Sequence, residues 1–181
     1  FVNRFLLPAA GFALLALVLW IGVGRSPDKG TIASPLIGRP APDFSLPLLT
    51  DSSRKTGPHD WRGRWYLLNV WGTWCPGCRD EHEMLLEVKR GGRVPIMGLN
   101  WKDEDALAIE WLARLGNPYE LVTVDHDGRA AIDWGAYGAP ETFLVNPDGI
   151  VVHKHVGALT RAVWLRDFLP RLPPPAAPGQ P

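Results

Sequence analysis

Residues 65–82 read WYLLNVWGTWCPGCRDEH and contain the only two cysteines of the chain, Cys75 and Cys78. The stretch opens with an apolar run, which is typical of a strand buried on both faces. Pro76 suits the first turn of a helix, where its missing N–H costs little. The stretch therefore predicts a buried strand, a short turn that carries the cysteines, and a helix over residues 76–89.

The placement of the cysteine pair favours redox chemistry. A thiol at a helix N-terminus meets unpaired backbone N–H groups and the positive end of the helix dipole, and both favour the nucleophilic thiolate. We predict that Cys75 is the exposed, attacking thiol and that the shielded Cys78 resolves the mixed disulfide. The alternatives are two buried structural cysteines or half of a metal site. A zinc site normally needs four ligands, and the sequence has no second cysteine pair.

The composition indicates one globular domain with appendages. The 181 residues are 46% hydrophobic, which is enough for a sizeable core. The formal net charge is zero, so no broad electrostatic footprint for nucleic acid is present. Two cysteines are too few for a disulfide scaffold, whereas a single reversible pair fits.

The N-terminal segment predicts a membrane anchor. From Phe5 to Gly24 the sequence has 20 residues without a charge, which is enough to cross a bilayer as a helix. The residues that follow offer no clear A-x-A cleavage site, so we expect the segment to stay on the protein. Residues 1–25 are the predicted anchor and residues 26–37 a tether. The cysteine pair suits an exported domain, so we expect the anchor to leave the cysteines outside the cytoplasm.

Residues 38–172 are the predicted globular domain, and the Pro-rich residues 173–181 a disordered tail. Alternating strands and helices followed by a hairpin predict an α/β fold with a mixed β-sheet and helices on both faces. The predicted elements are an edge strand at 44–46, a loop at 50–60, strands at 65–70, 94–100 and 121–124, helices at 76–89, 103–115 and 130–134, a hairpin of 142–145 and 150–156, and a final helix at 160–169.

These residues resemble the thioredoxin superfamily and, within it, the membrane-anchored reductants of cytochrome c maturation, the DsbE/CcmG type. The resemblance covers residues 34–160, most of the predicted exported part. A C-x-x-C motif alone would be weak, but several strings in this order are specific. They are LIGRPAPDF (36–44), LLNVWGTWCPGCRDEH (67–82), GLNWKDEDA (98–106), WLARLGNPYELV (111–122), YGAPETFLV (137–145) and HVGALT (155–160).

The resemblance implies a thioredoxin-like fold in which Pro140 forms a cis peptide bond that faces the cysteine pair. A cis X–Pro bond is uncommon and usually has a structural purpose. Here it would leave the backbone of Ala139 free to pair with an extended substrate, as in strand addition. Trp74 and Pro76 flank the first cysteine in the family motif and are supporting site residues.

The resemblance also points to polar residues around the cysteines. Thioredoxin has a buried Asp where this chain has Asn69, which cannot accept a proton. Glu81, three residues after Cys78, is therefore our candidate for buried proton transfer. Glu141 follows Pro140, and we expect Glu81 and Glu141 to form an acidic surround that opposes thiolate formation.

The implied function is a protein-disulfide reductase. Its implied partners are apocytochrome c or a maturation dithiol protein, with re-reduction by an inner-membrane thiol donor. No organic cofactor is needed, because the two thiols carry the electrons. A copper(I)-delivery module is the alternative from another class, since soft thiolates suit copper(I). A general periplasmic disulfide reductase is the third reading.

Other polar residues favour ordinary roles. We expect a packing or surface role for His82 on the active-site helix. His153 and His155 lie two apart on one strand face, where a solvated face is favoured over metal binding. The acids after Asp125 do not follow the spacing of an EF-hand. The sequence therefore predicts no metal site.

Overall fold

The computed structural model describes residues 3–25 and 34–174 of the chain. The helix α1 runs over Asn3–Arg25 and belongs to a different compact unit from the globular part. Among the described residues, no helix reaches the length and apolarity that a bilayer crossing requires. Most of the predicted tether and tail, residues 26–33 and 175–181, lies outside the described residues.

The globular part is built on one mixed seven-stranded sheet with the order β2-β1-β5-β4-β3-β6-β7. The three central strands β3, β4 and β5 are parallel, whereas β6 pairs with β3 and β7 pairs with β6 in antiparallel fashion. The strands are β1 (Leu46–Leu48), β2 (Asp51–Thr56), β3 (Tyr66–Trp71), β4 (Ile96–Trp101), β5 (Leu121–Asp125), β6 (Glu141–Val145) and β7 (Val151–Val156).

Two apolar clusters lie on the two faces of this sheet because successive side chains of a strand point to opposite faces. Leu67 of β3 belongs to the cluster that includes the cysteines, and Leu68 belongs to the other. The prediction of a mixed sheet with helices on both faces is confirmed. The helices of the domain are α2 (Pro76–Gly91), α3 (Asp105–Leu115), α4 (Arg129–Asp133) and the short α5 (Arg161–Val163).

The prediction of a loop at residues 50–60 is wrong. This segment contains the strand β2 and a 3-10 turn over Pro58–Trp61. Residues 51–55 are all exposed, so the strand has no apolar alternation for the sequence to display. It forms through backbone pairing with β1 at the edge of the sheet.

The predicted final helix at 160–169 is only partly regular. Thr160 caps α5, since its Oγ1 accepts from the N–H of Val163 at 3.3 Å. The chain then continues as a π-helix, Trp164–Phe168, and a 3-10 turn, Leu169–Arg171. Pro170 has no N–H to donate, so a regular helix cannot continue through it.

Candidate active site

The two cysteines form a disulfide at the start of α2. Cys75 is the N-cap residue, Pro76 begins the helix, and the N–H of Cys78 points at Sγ of Cys75 at 3.0 Å. An N–H of the first helical turn, which has no partner within the helix, therefore meets the sulfur that the sequence predicts as the nucleophile. In the reduced protein this N–H would stabilise the thiolate of Cys75.

The structure contradicts the greater exposure expected for Cys75. The side chains of Cys75 and Cys78 are 2% and 3% exposed in the disulfide form. Both belong to the apolar cluster on one face of the sheet, because the disulfide holds the two sulfurs together against it. The exposed residue of the motif is Trp74, at 51%.

Asp103 holds the turn that leads into the cysteine pair. Its carboxylate accepts from the backbone N–H of Thr73 at 2.7 Å and from the Thr73 hydroxyl at 2.6 Å. Trp74 donates from Nε1 to the carbonyl of Trp101 at 3.1 Å, and the two indoles pack edge to face. The sequence predicts a helix from residue 103, but α3 begins at Asp105 and Glu104 is its N-cap residue. The contact between Asp103 and Thr73 could be predicted from the sheet, because β3 and β4 are parallel neighbours and the two residues follow their carboxyl ends.

Pro140 lies against the cysteine turn. The peptide bond between Ala139 and Pro140 is cis, as the resemblance implies. A Cβ placed on Gly77 would lie 2.9 Å from Cδ of Pro140. The turn between the cysteines and the proline are therefore in close contact, and the glycine makes room for the ring.

Glu81 is buried in the interior one helical turn after Cys78, with 1% of its surface exposed. Its Oε1 accepts from Nδ2 of Asn69 at 2.8 Å, and its Oε2 accepts from the N–H of Leu159 at 2.7 Å. Burial raises the pKa of Glu81 to about 7, although both hydrogen bonds lower it. Glu81 can therefore take up or release a proton near neutral pH.

Asn69 is the centre of this buried network. Its Nδ2 also donates to Oγ1 of Thr142 at 3.0 Å, and its Oδ1 accepts from the hydroxyl of Tyr119 at 2.9 Å. Burial raises the pKa of Tyr119 well above its usual range, so the phenol keeps its proton. The sequence pattern does not predict the roles of Tyr119, Thr142 and the N–H of Leu159. The signal for Thr142 is its register opposite Asn69 in the β3–β6 pair.

Glu141 has partners that the sequence does not predict. Its Oε2 lies 2.8 Å from Nζ of Lys154 in a buried ion pair, without the alignment of a hydrogen bond. Its Oε1 accepts from the N–H groups of Tyr137 and Gly138 at 3.0 and 3.2 Å. Lys154 balances the charge of Glu141, so we no longer expect Glu141 to oppose the thiolate. Its carboxylate instead holds the segment before Pro140 through the two backbone N–H groups.

His82 and His153 have packing roles. His82 accepts at Nδ1 from the indole of Trp111 at 3.3 Å, and its Nε2 contacts the carbonyl of Gly116 at 3.0 Å. The ring of His153 packs edge to face on Phe168 rather than standing in solvent. Burial lowers the pKa of His153 to about 4.

Asp125 turns its carboxylate to the backbone. The carboxylate accepts from the N–H groups of Ala130 and Ala131 at 3.3 and 2.9 Å, so it organises the start of α4. Over residues 3–25 and 34–174, no group of three or more His, Cys, Asp or Glu side chains could hold a metal ion.

A disulfide at the N-terminus of a helix, a cis-proline against it and a mixed sheet beneath it define a thioredoxin-like thiol:disulfide oxidoreductase. The Redoxin family profile matches residues 36–165. A secreted thiol-disulfide isomerase from Corynebacterium glutamicum has the same fold, with a TM-score of 0.67 and 21% identity over 81% of this chain and 94% of that one.

The curated relatives narrow the family further. The thiol:disulfide interchange protein DsbE of Allochromatium vinosum is 44% identical over 93% of this chain and 92% of its own length. The DsbE protein of Pseudomonas aeruginosa is 44% identical over 91% of this chain and 90% of its own length. The chain belongs to the DsbE family of thiol:disulfide interchange proteins.

Proposed function

We propose that this chain is a membrane-anchored dithiol reductant that serves cytochrome c maturation in the periplasm. The observation that carries the proposal is that α2 holds both the Cys75–Cys78 disulfide and a buried carboxyl, Glu81, whose pKa is about 7. The reduced cysteine pair supplies two electrons, and Glu81 can move a proton that accompanies them.

The exchange has two steps. In the reduced protein the thiolate of Cys75 attacks one sulfur of a partner disulfide, and the other partner sulfur leaves as a thiolate. Cys78 then loses its proton and attacks Sγ of Cys75, which releases the second partner sulfur. The partner gains two electrons, and its two thiolates take up one proton from Cys78 and one from water, which replaces the proton that Cys75 had lost. The chain is left with the disulfide seen here. A membrane dithiol donor restores the reduced pair by the reverse sequence.

Glu81 is the group suited to receive the proton of Cys78. It lies one turn further along α2 in the same interior, and its ionised form accepts two hydrogen bonds that hold it ready. A general base works best when its pKa lies near the working pH, which a pKa of about 7 provides.

The direction of the reaction follows from the charge around the pair. A strong oxidase needs a very stable thiolate, because stabilising the reduced form raises the potential. Here the N–H of Cys78 favours the thiolate, whereas the carboxylate of Glu81 opposes it. We therefore expect a moderately stable thiolate and a reductant.

The anchoring and the partner class rest on the sequence and the family. The anchoring rests on the sequence alone, in which Phe5–Gly24 is a run of 20 residues without a charge. The resemblance to the reductants of cytochrome c maturation supplies the partners, which are apocytochrome c or a maturation dithiol protein.

The test is to trap the partner. The Cys78→Ser variant of the full chain should accumulate mixed disulfides through Cys75 in membranes, because the resolving sulfur is missing. Mass spectrometry should then identify haem-attachment peptides or a maturation dithiol protein. The Cys75→Ser/Cys78→Ser variant is the control and should trap nothing. Many unrelated partners would indicate a general reductase, and stoichiometric copper(I) on the unaltered reduced protein without trapped partners would indicate copper delivery.

A further inference from the structure

The hydroxyl of Tyr119 is part of the buried network but has no part in the exchange steps. Tyr119 is 3% exposed and precedes β5, far along the chain from Asn69. Its hydroxyl donates to Oδ1 of Asn69, while both N–H bonds of the same amide point to other oxygens, those of Glu81 and Thr142. Both N–H bonds and the oxygen of the amide therefore have partners in one orientation.

We propose that Tyr119 is a positioning residue for the thiol chemistry, because its hydroxyl holds the Asn69 amide in the orientation that donates to Glu81. The inference rests on the proposed function, since it assumes that Glu81 accepts the proton of the cysteine pair. It adds a residue that acts on the reaction through two others.

The physical reason is the asymmetry of an amide. A half-turn of the Asn69 side chain would exchange Oδ1 and Nδ2 and would place Oδ1 against the carboxylate of Glu81. Two acceptors in contact repel each other unless Glu81 is protonated. Tyr119 keeps its proton and offers it to Oδ1, so it favours the orientation in which Nδ2 stabilises the ionised form of Glu81.

Other ionisable groups near Glu81 are engaged elsewhere or take part in the reaction. The buried ones on α2, β3, β6 and the segment before β5 are Tyr66, Cys75, Cys78, His82, Tyr119 and Glu141. Tyr66 belongs to the apolar cluster on the other face of the sheet. Both ring nitrogens of His82 have partners on the α3 side, and Glu141 is paired with Lys154. In the disulfide form the cysteines do not titrate. Tyr119 is therefore the group whose contact with the network can be removed without adding a charge.

The test follows the ionisation of Glu81 directly. The full chain in detergent micelles, oxidised and labelled with ¹³C at the glutamate carboxyls, is titrated from about pH 4 to about pH 9 by NMR. The missing resonance in Glu81→Gln assigns the signal. Tyr119→Phe should raise the pKa of Glu81 by about half a unit to one unit, the shift that one ordinary hydrogen bond produces.

Tyr66→Phe is the matched control, because Tyr66 is an equally buried tyrosine whose hydroxyl has no hydrogen-bond partner. It should leave the pKa of Glu81 unchanged. An unchanged Glu81 titration in Tyr119→Phe would overturn the proposal. Equal shifts in both variants would also overturn it, since they would reflect loosening of the core.

A measurement on the unaltered protein decides the matter if Tyr119→Phe does not fold. With ¹³Cζ-labelled tyrosine, the Tyr119 resonance should shift with the midpoint of Glu81 while the Tyr66 resonance stays constant. A flat Tyr119 resonance would contradict the coupling. These NMR measurements need no partner protein, so they remain valid if the trapped partners are not cytochrome maturation proteins. Conversely, a negative NMR result does not affect the trapping experiment.

Discussion

Nδ2 of Asn69 donates to Oε1 of Glu81 across 2.8 Å, and both side chains are buried. This contact joins β3 to α2, the two elements on either side of the cysteine turn. Asn69 stands where thioredoxin has a buried Asp. The buried carboxyl of this site is instead that of Glu81 on α2.

Replacing Glu81 by Gln should slow the release of partners. The mixed disulfide of the full chain with a model peptide should resolve about a hundredfold more slowly near pH 8, because Cys78 loses its base. The rise of the rate with pH around 7 should also disappear. Stopped-flow fluorescence measures both. Glu83→Gln is the control, since Glu83 is exposed on the same helix and paired with Arg90; an equal effect there would exclude a specific role for Glu81.

The stability of the fold should depend on the charge of Glu81. Its pKa is about 7 in the folded protein and near 4.5 in the unfolded chain, so the folded state binds more protons between these values. Stability therefore falls as pH rises through this window. The free energy of unfolding of Glu81→Gln, relative to the unaltered protein, should increase by on the order of 3 kcal/mol from about pH 4.5 to about pH 8. Urea unfolding at both pH values measures this difference, and a constant difference would contradict a raised pKa.

Breaking the buried pair of Lys154 and Glu141 should be costly. Lys154→Met leaves a buried carboxylate uncompensated and should lower the free energy of unfolding by about 3–5 kcal/mol. Adding Glu141→Gln should restore at least half of the loss, because the neutral amide keeps an oxygen for the backbone. Arg64→Met, which breaks an exposed pair with Glu120, should cost less than about 1 kcal/mol. An equal decrease in the free energy of unfolding for Lys154→Met and Arg64→Met would show that the buried pair does not stabilise the fold more than an exposed one.

Asp103→Ala should loosen the turn before the cysteines. It removes the acceptor of both the backbone N–H and the hydroxyl of Thr73. Hydrogen exchange at Thr73 and Trp74 should accelerate at least about tenfold, which corresponds to the loss of one hydrogen bond of ordinary strength. Asp105→Ala, in the first turn of α3, serves as the control. Unchanged exchange at Thr73 in the Asp103 variant would argue against this contact.

The sequence predicts the central strand, the cysteine turn and the helix after it because local signals agree there. An apolar run and Pro76 at the helix start act over a few residues. The strand β2 is not predictable in this way, since its residues are polar and its existence depends on pairing with β1.

The site is predictable only in part for the same reason. The family motif identifies the cysteines, Pro140 and Glu81, but the partners of Glu81 come from distant segments. Tyr119 reaches Asn69 from 50 residues away, and Lys154 reaches Glu141 across a hairpin. Neither contact has a local signal. The exposure expected for Cys75 is wrong in the disulfide form because position in a helix does not report how the fold covers it.

The measurement that tests the account most directly is the reduction potential of the Cys75–Cys78 pair. The full chain is equilibrated in glutathione buffers of graded ratio, and the fraction reduced is read from the fluorescence of Trp71 and Trp74. A thiolate of moderate stability predicts a midpoint between those of protein disulfide isomerase, about −180 mV, and thioredoxin, about −270 mV. A midpoint near that of DsbA, about −120 mV, would contradict the assignment as a reductant.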